Sequence, residues 1–336
     1  MKIAFFELEG WEENLIRAAL PGHELVLSQE KIDPLTLPAA NDFDAVSVFV
    51  NSEITPEVLA ALPSLKFIAT RSTGFDHVDA AACKAKNVAV SYVPGYGDNT
   101  VAEFAFGLIL NLTRRIYRAI DQIKEADSFD LHGLRGMDIK GKTIGIIGTG
   151  RIGREMIRIA KGFGMNVLAH DPFPNAQAAQ EMGFEYLKLE ELLGRSDVIS
   201  LHTPYNKDTH HLINKTNIAL IKKGAYLVNT ARGPIVETEA LVAALKDGTL
   251  AGAGLDVLEE EGETKDEMKF LGAGSLQVQE RRTMLQNHML MKMPNVLITP
   301  HNAFNTQEAM ERILGTTLEN VQGFVAGTPK NLIPGT

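Results

Sequence analysis

The stretch TIGIIGTGRIG, residues 143–153, decides the fold that this sequence predicts. Its first residues are apolar and typical of a buried strand, and an amphipathic run typical of a helix follows the glycines. A glycine turn between a strand and a helix N-terminus is the usual seat of a dinucleotide pyrophosphate. The residues that this turn offers to a dinucleotide are Gly148, Gly150, Arg151, Ile152 and Gly153.

The next predicted strand indicates which dinucleotide is bound. The stretch NVLAHD ends at Asp171, 18 residues after Gly153. That is close to the roughly 20 residues expected for the acid that binds the ribose hydroxyls. The following stretch, DPFPNAQ, has no Arg or Lys for a 2′-phosphate. The sequence therefore favours NAD over NADP, and the alternative is an ordinary strand–helix turn with an incidental acid.

Alternating strand-like and helix-like segments extend on both sides of the glycine turn. Six strand candidates between Thr143 and about Pro300 predict one doubly wound domain, and five more in the first hundred residues predict a second parallel sheet. The 36 residues after Pro300 are too few for a domain and include one helix, 306–325. We therefore expect an α/β protein with two doubly wound, Rossmann- or flavodoxin-like domains, 1–99 plus 301–336 and 100–300, and an interdomain cleft.

A long helix is predicted from Thr100 to about Ile123, capped by Asn99 or Thr100. It is apolar on more than one face, as expected of a helix that a partner buries. A polar arm with three glycines follows it. The helix and the arm together predict a two-fold interface between copies of the chain.

Composition excludes several classes of protein. The net charge is -9 and the chain has no long basic run, so we expect no nucleic acid partner. No apolar run approaches the roughly 18 residues that span a bilayer, so we expect no membrane insertion. The acidic residues that begin at Glu7 disfavour a signal peptide. The single cysteine, Cys83, excludes an internal disulfide and a cysteine metal cluster, so we predict no metal and a cytoplasmic location.

Six motifs occur in order along the second region: GTGRIG, HDP, SLHTP, NTARGPIVETEAL, GLDVLEEE and ITPHNAF. With them, and with TRSTGFDHVD and VPGYGDNTVAEFAFGLIL in the first region, the chain resembles the D-isomer-specific 2-hydroxyacid dehydrogenases nearly end to end. The resemblance implies a homodimer and a substrate site in the cleft. It also implies hydride transfer between NAD and a small 2-keto or 2-hydroxy acid.

Within this family the D-lactate dehydrogenase branch is the most similar. The spacing from Arg232 to Glu261 and the long segment between Asp256 and His301 favour that branch, although the insert at 262–293 has its own sequence. Other chemistries on the scaffold stay open, namely reduction of hydroxypyruvate or glyoxylate and oxidation of formate or phosphite. A non-enzymatic NAD-sensing scaffold is the alternative from a different functional class.

Three residues are assigned catalytic roles. Arg232 follows a predicted strand, where ligands bind in this fold, and its planar guanidinium can bind a carboxylate at two points. His301 lies where the chain leaves the nucleotide domain, and imidazole is the usual acid and base near neutral pH. A carboxylate beside it favours the imidazolium form. The run LEEE offers Glu259, Glu260 and Glu261 for that role, and only the family spacing selects Glu261.

The other predicted contacts divide between substrate and cofactor. We expect Thr73 and Gly74 to offer backbone N–H groups to the substrate carboxylate, and Tyr96 and Phe304 to line its side-chain pocket. The remaining predicted cofactor contacts are His202, Thr203, Pro204, Thr230, Ala231 and Asp256. The adjacent His210 and His211 are more typical of a solvated turn than of a metal site.

Overall fold

The structure is a computed structural model that describes residues 1–34, 37, 41–261 and 278–335. The chain divides into two compact units. The first comprises Met1–Tyr96 and Thr306–Thr336, and the second comprises Gly97–Asn305. The first part of the long insert, 262–277, lies outside the described residues.

The first unit is built on a five-stranded parallel sheet in the order β2-β1-β3-β4-β5. Its strands are β1 (Lys2–Phe5), β2 (Glu24–Leu27), β3 (Ala45–Val48), β4 (Phe67–Thr70) and β5 (Ala89–Ser91). Its helices are α1 (Glu12–Ala19), α2 (Pro56–Ala61), α3 (Ala80–Ala85) and α11 (Gln307–Val325). This strand order is the flavodoxin-like one, as predicted.

Helices cover both faces of this sheet, and alternate side chains of each strand pack against one face or the other. Ile3 and Phe5 lie in a core with α1 and α11, whereas Ala4 lies in a second core with α2 and α3. Successive side chains of a strand point to opposite faces, so a parallel sheet with two covered faces needs apolar residues throughout. Cys83 is buried in the second core.

The second unit carries a seven-stranded parallel sheet in the order β12-β11-β10-β9-β6-β7-β8. Its strands are β6 (Thr143–Ile147), β7 (Asn166–His170), β8 (Glu185–Tyr186), β9 (Val198–Leu201), β10 (Ala225–Asn229), β11 (Leu250–Leu255) and β12 (Val296–Ile298). The order is that of a Rossmann domain with one added strand. Strands β6 to β8 follow one another toward one edge of the sheet and strands β9 to β12 toward the other, so the strand order reverses between β6 and β9.

Helices cover both faces of the second sheet. They are α4 (Asp98–Arg114), α5 (Ile116–Ala126), α6 (Arg151–Gly162), α7 (Ala176–Met182), α8 (Leu189–Arg195), α9 (Thr238–Lys246) and α10 (Val278–Lys292). One core contains α4 and α6, and the other contains α8, α9 and α10. The two faces thus carry the alternate residues of each strand, for example Ile146 on one and Ile147 on the other.

The predicted long helix is two helices. It begins at Asp98 with Gly97 as the N-cap, and it breaks at Arg115, whose φ of 54° is left-handed. Helix α4 packs within its own unit against α6, β10 and β11. Helix α5 has no side chain buried within the described chain. The sequence also missed strand β8, because two residues are too few for a periodic pattern.

The exposed apolar side chains that follow α4 belong to α5 and to the arm after it. They are Ile116, Tyr117, Ile120, Ile123, Phe129 and Leu131. Phe129 is 86% exposed and Leu131 is 81% exposed, which is unusual for side chains of this size. Among the described residues, no helix is long and apolar enough to cross a membrane.

Candidate active site

The glycine turn follows β6 and opens α6, as predicted. Gly148 has a φ of 92°, and a Cβ there would lie 2.5 Å from the carbonyl oxygen of His202. A Cβ on Gly153 would lie 2.0 Å from the carbonyl oxygen of Gly148. A Cβ on Gly150, the N-cap of α6, would meet nothing within 4 Å. Two glycines therefore serve close packing, and the third leaves open space at the helix N-terminus.

That open N-terminus suits a pyrophosphate. No side chain of the described residues caps α6, so its first N–H groups are available to an anion. Arg151 is the first residue of the helix, and its Nε lies 3.4 Å from a carboxylate oxygen of Asp98. Ile152 is half-buried beside the core that contains α4 and α6.

Asp171 follows β7 and is held as a carboxylate. Its Oδ2 accepts hydrogen bonds of 2.8 Å from the backbone N–H and the hydroxyl of Thr149, and its Oδ1 accepts one from Phe173 N–H. Burial opposes the charged form, but the N–H groups of Thr149 and Phe173 outweigh it and keep the pKa of Asp171 below its ordinary value. The side chain is half-buried, so a negative charge lies at the edge of the turn.

Strand β9 ends beside β6, where the strand order reverses. His202, Thr203 and Pro204 follow β9 there. The ring of His202 is half-buried, its Nε2 lies 2.8 Å from Ser200 Oγ, and burial lowers its pKa to about 4. The ring is therefore neutral at physiological pH.

Two further predicted cofactor residues, Thr230 and Ala231, follow β10. Ala231 is half-buried, and its N–H donates to Asn229 Oδ1 at 3.0 Å. The hydroxyl of Thr230 is buried and has no hydrogen-bond partner among the described residues. A buried hydroxyl without a partner is costly, so a polar ligand group is expected beside it. Together with the open N-terminus of α6 and the charged Asp171, this hydroxyl fits a bound dinucleotide.

Arg232 lies in the turn after β10. Asn229 shapes this turn, because its side-chain amide donates to the carbonyl of Arg232 at 2.9 Å. The Nη1 of Arg232 donates to the carbonyl of Ala231 at 2.8 Å, and the side chain is half-buried. The next residue packs closely, since a Cβ on Gly233 would lie 2.0 Å from the carbonyl of Leu258. The turn that bears Arg232 is thereby held against the segment after β11.

His301 and Glu261 meet at the carboxyl ends of β12 and β11. The Nδ1 of His301 lies 3.3 Å from Oε1 of Glu261. The side chain of His301 is 34% exposed and that of Glu261 is 21% exposed, so the pair is accessible but partly shielded. His301 has a left-handed φ of 53°, and its N–H donates to the carbonyl of Asp256 at 2.8 Å.

Asp256 holds the turn that carries His301. Its carboxylate accepts hydrogen bonds from the hydroxyl of Thr299 and from the N–H groups of Asn302 and Ala303. Burial raises the pKa of Asp256, and these hydrogen bonds work in the opposite direction. The sequence proposed this residue as a cofactor contact, and the structure shows it engaged with residues 299–303 of its own chain.

The other two acids of the LEEE run have different surroundings. Glu259 is bound by His211 and Thr238, and Glu260 has a left-handed φ of 54°. The structure thus places Glu261 beside His301, whereas the Glu259 side chain contacts His211 and Thr238. The contacts of His211 were missed in the sequence, because its partner is 48 residues away and no local pattern connects them.

The predicted substrate residues Thr73, Gly74 and Tyr96 belong to the first unit, whereas Phe304 belongs to the second. The hydroxyl of Thr73 donates to the carbonyl of Val93 at 2.6 Å, and the carbonyl of Gly74 accepts from Ser72 Oγ at 2.6 Å. The carbonyl of Tyr96 accepts from Arg312 Nε. Their contacts to substrate remain predictions.

Comparison with known proteins places this site in a family. The sequence model of the D-isomer-specific 2-hydroxyacid dehydrogenase NAD-binding domain matches residues 106–303. The chain is 39% identical over 332 residues to a 2-hydroxyacid dehydrogenase homolog of Zymomonas mobilis, covering 97% of this chain and 98% of that protein. It is 38% identical over 334 residues to the D-lactate dehydrogenase of Escherichia coli, covering 97% and 98%.

Solved structures agree with the sequence comparison. The D-lactate dehydrogenase from Aquifex aeolicus complexed with NAD and lactic acid is similar, with a TM-score of 0.85, 38% identity and coverage of 97% of this chain and 96% of that one. The two relatives and the solved structure cover 97% of the chain, and the family model's residues 106–303 include Arg232, Glu261 and His301. The chain therefore belongs to the D-isomer-specific 2-hydroxyacid dehydrogenases, NAD-dependent oxidoreductases that act on a CH–OH group.

Proposed function

We propose that this protein reduces pyruvate to D-lactate and catalyses the reverse oxidation. The observation that carries the proposal is the pair of His301 and Glu261, 3.3 Å apart, beside the turn of Arg232 at one edge of one sheet. The similarity to the D-lactate dehydrogenases of Escherichia coli and Aquifex aeolicus supports pyruvate as the substrate. NADH, when bound, supplies the hydride that reaches the keto carbon.

Arg232 binds the carboxylate of the 2-keto acid. A guanidinium is always charged and offers parallel N–H groups, so it can hold a carboxylate and orient the adjacent keto group. Asn229 and the Gly233–Leu258 packing keep its turn in place. Thr73 and Gly74 of the first unit remain predictions for a further contact to the carboxylate through their N–H groups, and Tyr96 and Phe304 for the methyl pocket.

His301 donates the proton that the keto oxygen takes up as it becomes a hydroxyl. The ring must carry a proton before the reaction, and Oε1 of Glu261 lies 3.3 Å from Nδ1, where it can accept the Nδ1–H and orient the ring. Nε2 is then the nitrogen that faces the oxygen. In the oxidative direction the neutral ring accepts the same proton from the hydroxyl, so one residue serves both directions.

The assembly that we propose is a homodimer that covers α5 and the arm after it. Ile116, Ile120 and Ile123 follow the spacing of one helix face and are all partly exposed. Contiguous exposed apolar surface marks an interaction site. The sequence assigns the interface to the stretch from Thr100 to about Ile123 and the arm after it; of this stretch, α4 packs inside its own unit and α5 carries the exposed apolar residues. A cytoplasmic location is also proposed, and the single cysteine supports it.

The substrate is tested by following NADH oxidation with purified protein. The panel is pyruvate, hydroxypyruvate, glyoxylate, 2-ketobutyrate and phenylpyruvate, and the chirality of each product is determined. We expect pyruvate to give the highest kcat/KM and the product to be D-lactate. A preference for another acid of the panel would change the substrate assignment. The L-isomer, or no turnover with any acid, would contradict the proposed reaction.

A further inference from the structure

Glu259 lies two residues before Glu261, and both oxygens of its carboxylate are engaged. Oε1 lies 2.7 Å from Nε2 of His211. Oε2 accepts hydrogen bonds from the N–H of Thr238, at 3.2 Å, and from its hydroxyl, at 2.7 Å. Thr238 is the first residue of α9, so the carboxylate also satisfies an N–H at a helix N-terminus. The side chain of Glu259 is only 13% exposed.

The backbone of the same segment is held as well. The side-chain amide of Asn287, a buried residue of α10, donates to the carbonyl of Glu259 at 2.7 Å. On the other side, a Cβ on Gly233 would lie 2.0 Å from the carbonyl of Leu258 and 2.3 Å from the N of Glu259. The segment is therefore joined to α10 and to the turn that bears Arg232. Through the Glu259 side chain it is also joined to the loop after β9 and to the start of α9.

These contacts determine where the next two residues point. Glu260 has a left-handed φ of 54°, a conformation that a non-glycine residue keeps only where its surroundings enforce it. The chain then delivers Glu261 to His301. The contacts described above for this turn are made by Leu258 and Glu259. Glu259 provides most of them.

We propose that Glu259 is a positioning residue for the reaction: it holds the 258–261 turn so that Glu261 stays beside His301. This inference rests on the proposed function, because it assigns Glu259 an effect on the proton donor. The alternative is that the carboxylate of Glu259 only stabilises the start of α9. The two hypotheses predict different structures for a variant without the carboxylate. The His301–Glu261 contact is lost if Glu259 is a positioning residue and is kept if it only stabilises the helix.

The test compares Glu259→Gln with a matched control, Glu237→Gln. Glu237 is the N-cap of the same helix, its side chain is also 13% exposed, and it pairs with Lys215 at 3.0 Å. It lies outside the 258–261 turn. We expect Glu259→Gln to lower kcat for pyruvate roughly tenfold, part of the 10²–10⁴ that a general acid contributes, with little change in KM. The alkaline limb of kcat/KM should move to lower pH. The control should keep the parent profile.

A double variant tests the route of the effect. If Glu259 acts through Glu261, adding Glu259→Gln to Glu261→Gln should move the alkaline limb no further, because the contact is already lost. An additional shift of the same size as in the single variant would overturn the proposal. So would equal profiles for Glu259→Gln and Glu237→Gln. If Glu259→Gln does not fold, Thr238→Val removes one donor to the same carboxylate at nearly constant volume, and we expect a smaller shift in the same direction.

A crystal structure of Glu259→Gln gives a readout independent of activity. We expect the 3.3 Å contact between His301 Nδ1 and Glu261 Oε1 to be lost. An unchanged contact would overturn the proposal even if activity falls. Lack of 2-keto acid reduction in the parent protein would instead refute the proposed function, and the structural comparison would still decide whether Glu259 positions Glu261.

Discussion

Two histidines of the second unit have the same chemistry and opposite surroundings. The ring of His202 is half-buried against Ser200, and its pKa falls to about 4 because burial penalises the charged form. The side chain of His301 is 34% exposed and has a carboxylate beside it. The surroundings therefore suit His202 to packing beside the nucleotide edge and His301 to proton transfer.

The lowered pKa of His202 predicts a loss of stability in acid. Its pKa is about 4 in the folded protein and 6.5 as a free side chain. The unfolded chain therefore binds more protons below pH 6.5, and stability falls as the pH drops from there toward 4. Between pH 7 and 4.5 this group should cost up to roughly 2 kcal/mol. Urea titrations at these two pH values should show a smaller loss of unfolding free energy for His202→Asn than for the parent protein. An equal loss would assign the acid sensitivity to other groups.

Glu261→Gln should change the pH dependence of reduction. Without the carboxylate, the protonated ring of His301 loses its partner, so activity should fail at a lower pH than in the parent, while activity at low pH largely survives. The pH profile of kcat/KM for pyruvate measures this. An alkaline limb that does not move toward acid would remove Glu261 from its assigned role.

By contrast, replacing His301 should lower turnover by about 10²–10⁴ at every pH, because the proton donor is gone.

Asp171 should determine the choice of cofactor. Its lowered pKa keeps a full negative charge at the edge of the glycine turn, which would repel a 2′-phosphate placed there. NADH should have a far higher kcat/KM than NADPH, and Asp171→Asn should narrow the gap. Asp197→Asn is the control, because Asp197 also accepts a backbone N–H, that of Thr143, but at the opposite end of the sheet. Comparable efficiency with both cofactors in the parent would contradict the assignment.

At the scale of elements, the turn between β6 and α6 contains two glycines with different roles. Close packing requires Gly153, and we expect the dinucleotide to approach Gly150. Gly153→Ala should destabilise the fold severely, because its Cβ would lie 2.0 Å from a backbone oxygen. Gly150→Ala should leave the thermal midpoint nearly unchanged, because its Cβ meets nothing within 4 Å, but it should weaken NADH binding. Differential scanning fluorimetry and a fluorescence titration with NADH measure the two effects. If Gly150→Ala binds NADH as the parent does, the dinucleotide does not approach this turn.

The break between α4 and α5 shows how one apolar stretch serves two purposes. Helix α4 fills a core of its own unit, and the left-handed Arg115 then redirects the chain. A separate helix follows whose apolar residues lie at the surface. The change of direction depends on the backbone conformation at one residue, which no hydrophobic pattern reports.

At the scale of the whole molecule, the exposed face of α5 predicts the oligomeric state. Light scattering should give a mass near twice the 36.7 kDa of one chain. Ile120→Glu places a charge in the centre of the apolar face and should give monomers, because burying an unpaired charge is costly. Leu220→Glu is the control, since Leu220 is similarly exposed, at 48%, and lies on another surface. A parent mass that matches one chain at all concentrations would contradict the dimer.

The sequence by itself determined the features that depend on local pattern. The period of the apolar residues predicts parallel strands with crossover helices, and both sheets contain the strands expected of them. The glycine spacing and Asp171 predict the NAD site, and the resemblance selects Arg232, Glu261 and His301. These features are local, because strand, turn and helix signals each lie within a few residues.

Only the tertiary structure decided which side chains meet. The pairing of Glu261 with His301, the three hydrogen bonds to Asp256 and the binding of Glu259 by His211 join residues 40 to 48 positions apart. The run LEEE itself does not distinguish its three acids and only the resemblance selects Glu261; the structure shows Glu261 beside His301 and Glu259 bound by His211. Such contacts follow from how the ends of parallel strands are brought to one edge of the sheet, which is a property of the assembled fold and not of any short stretch of chain.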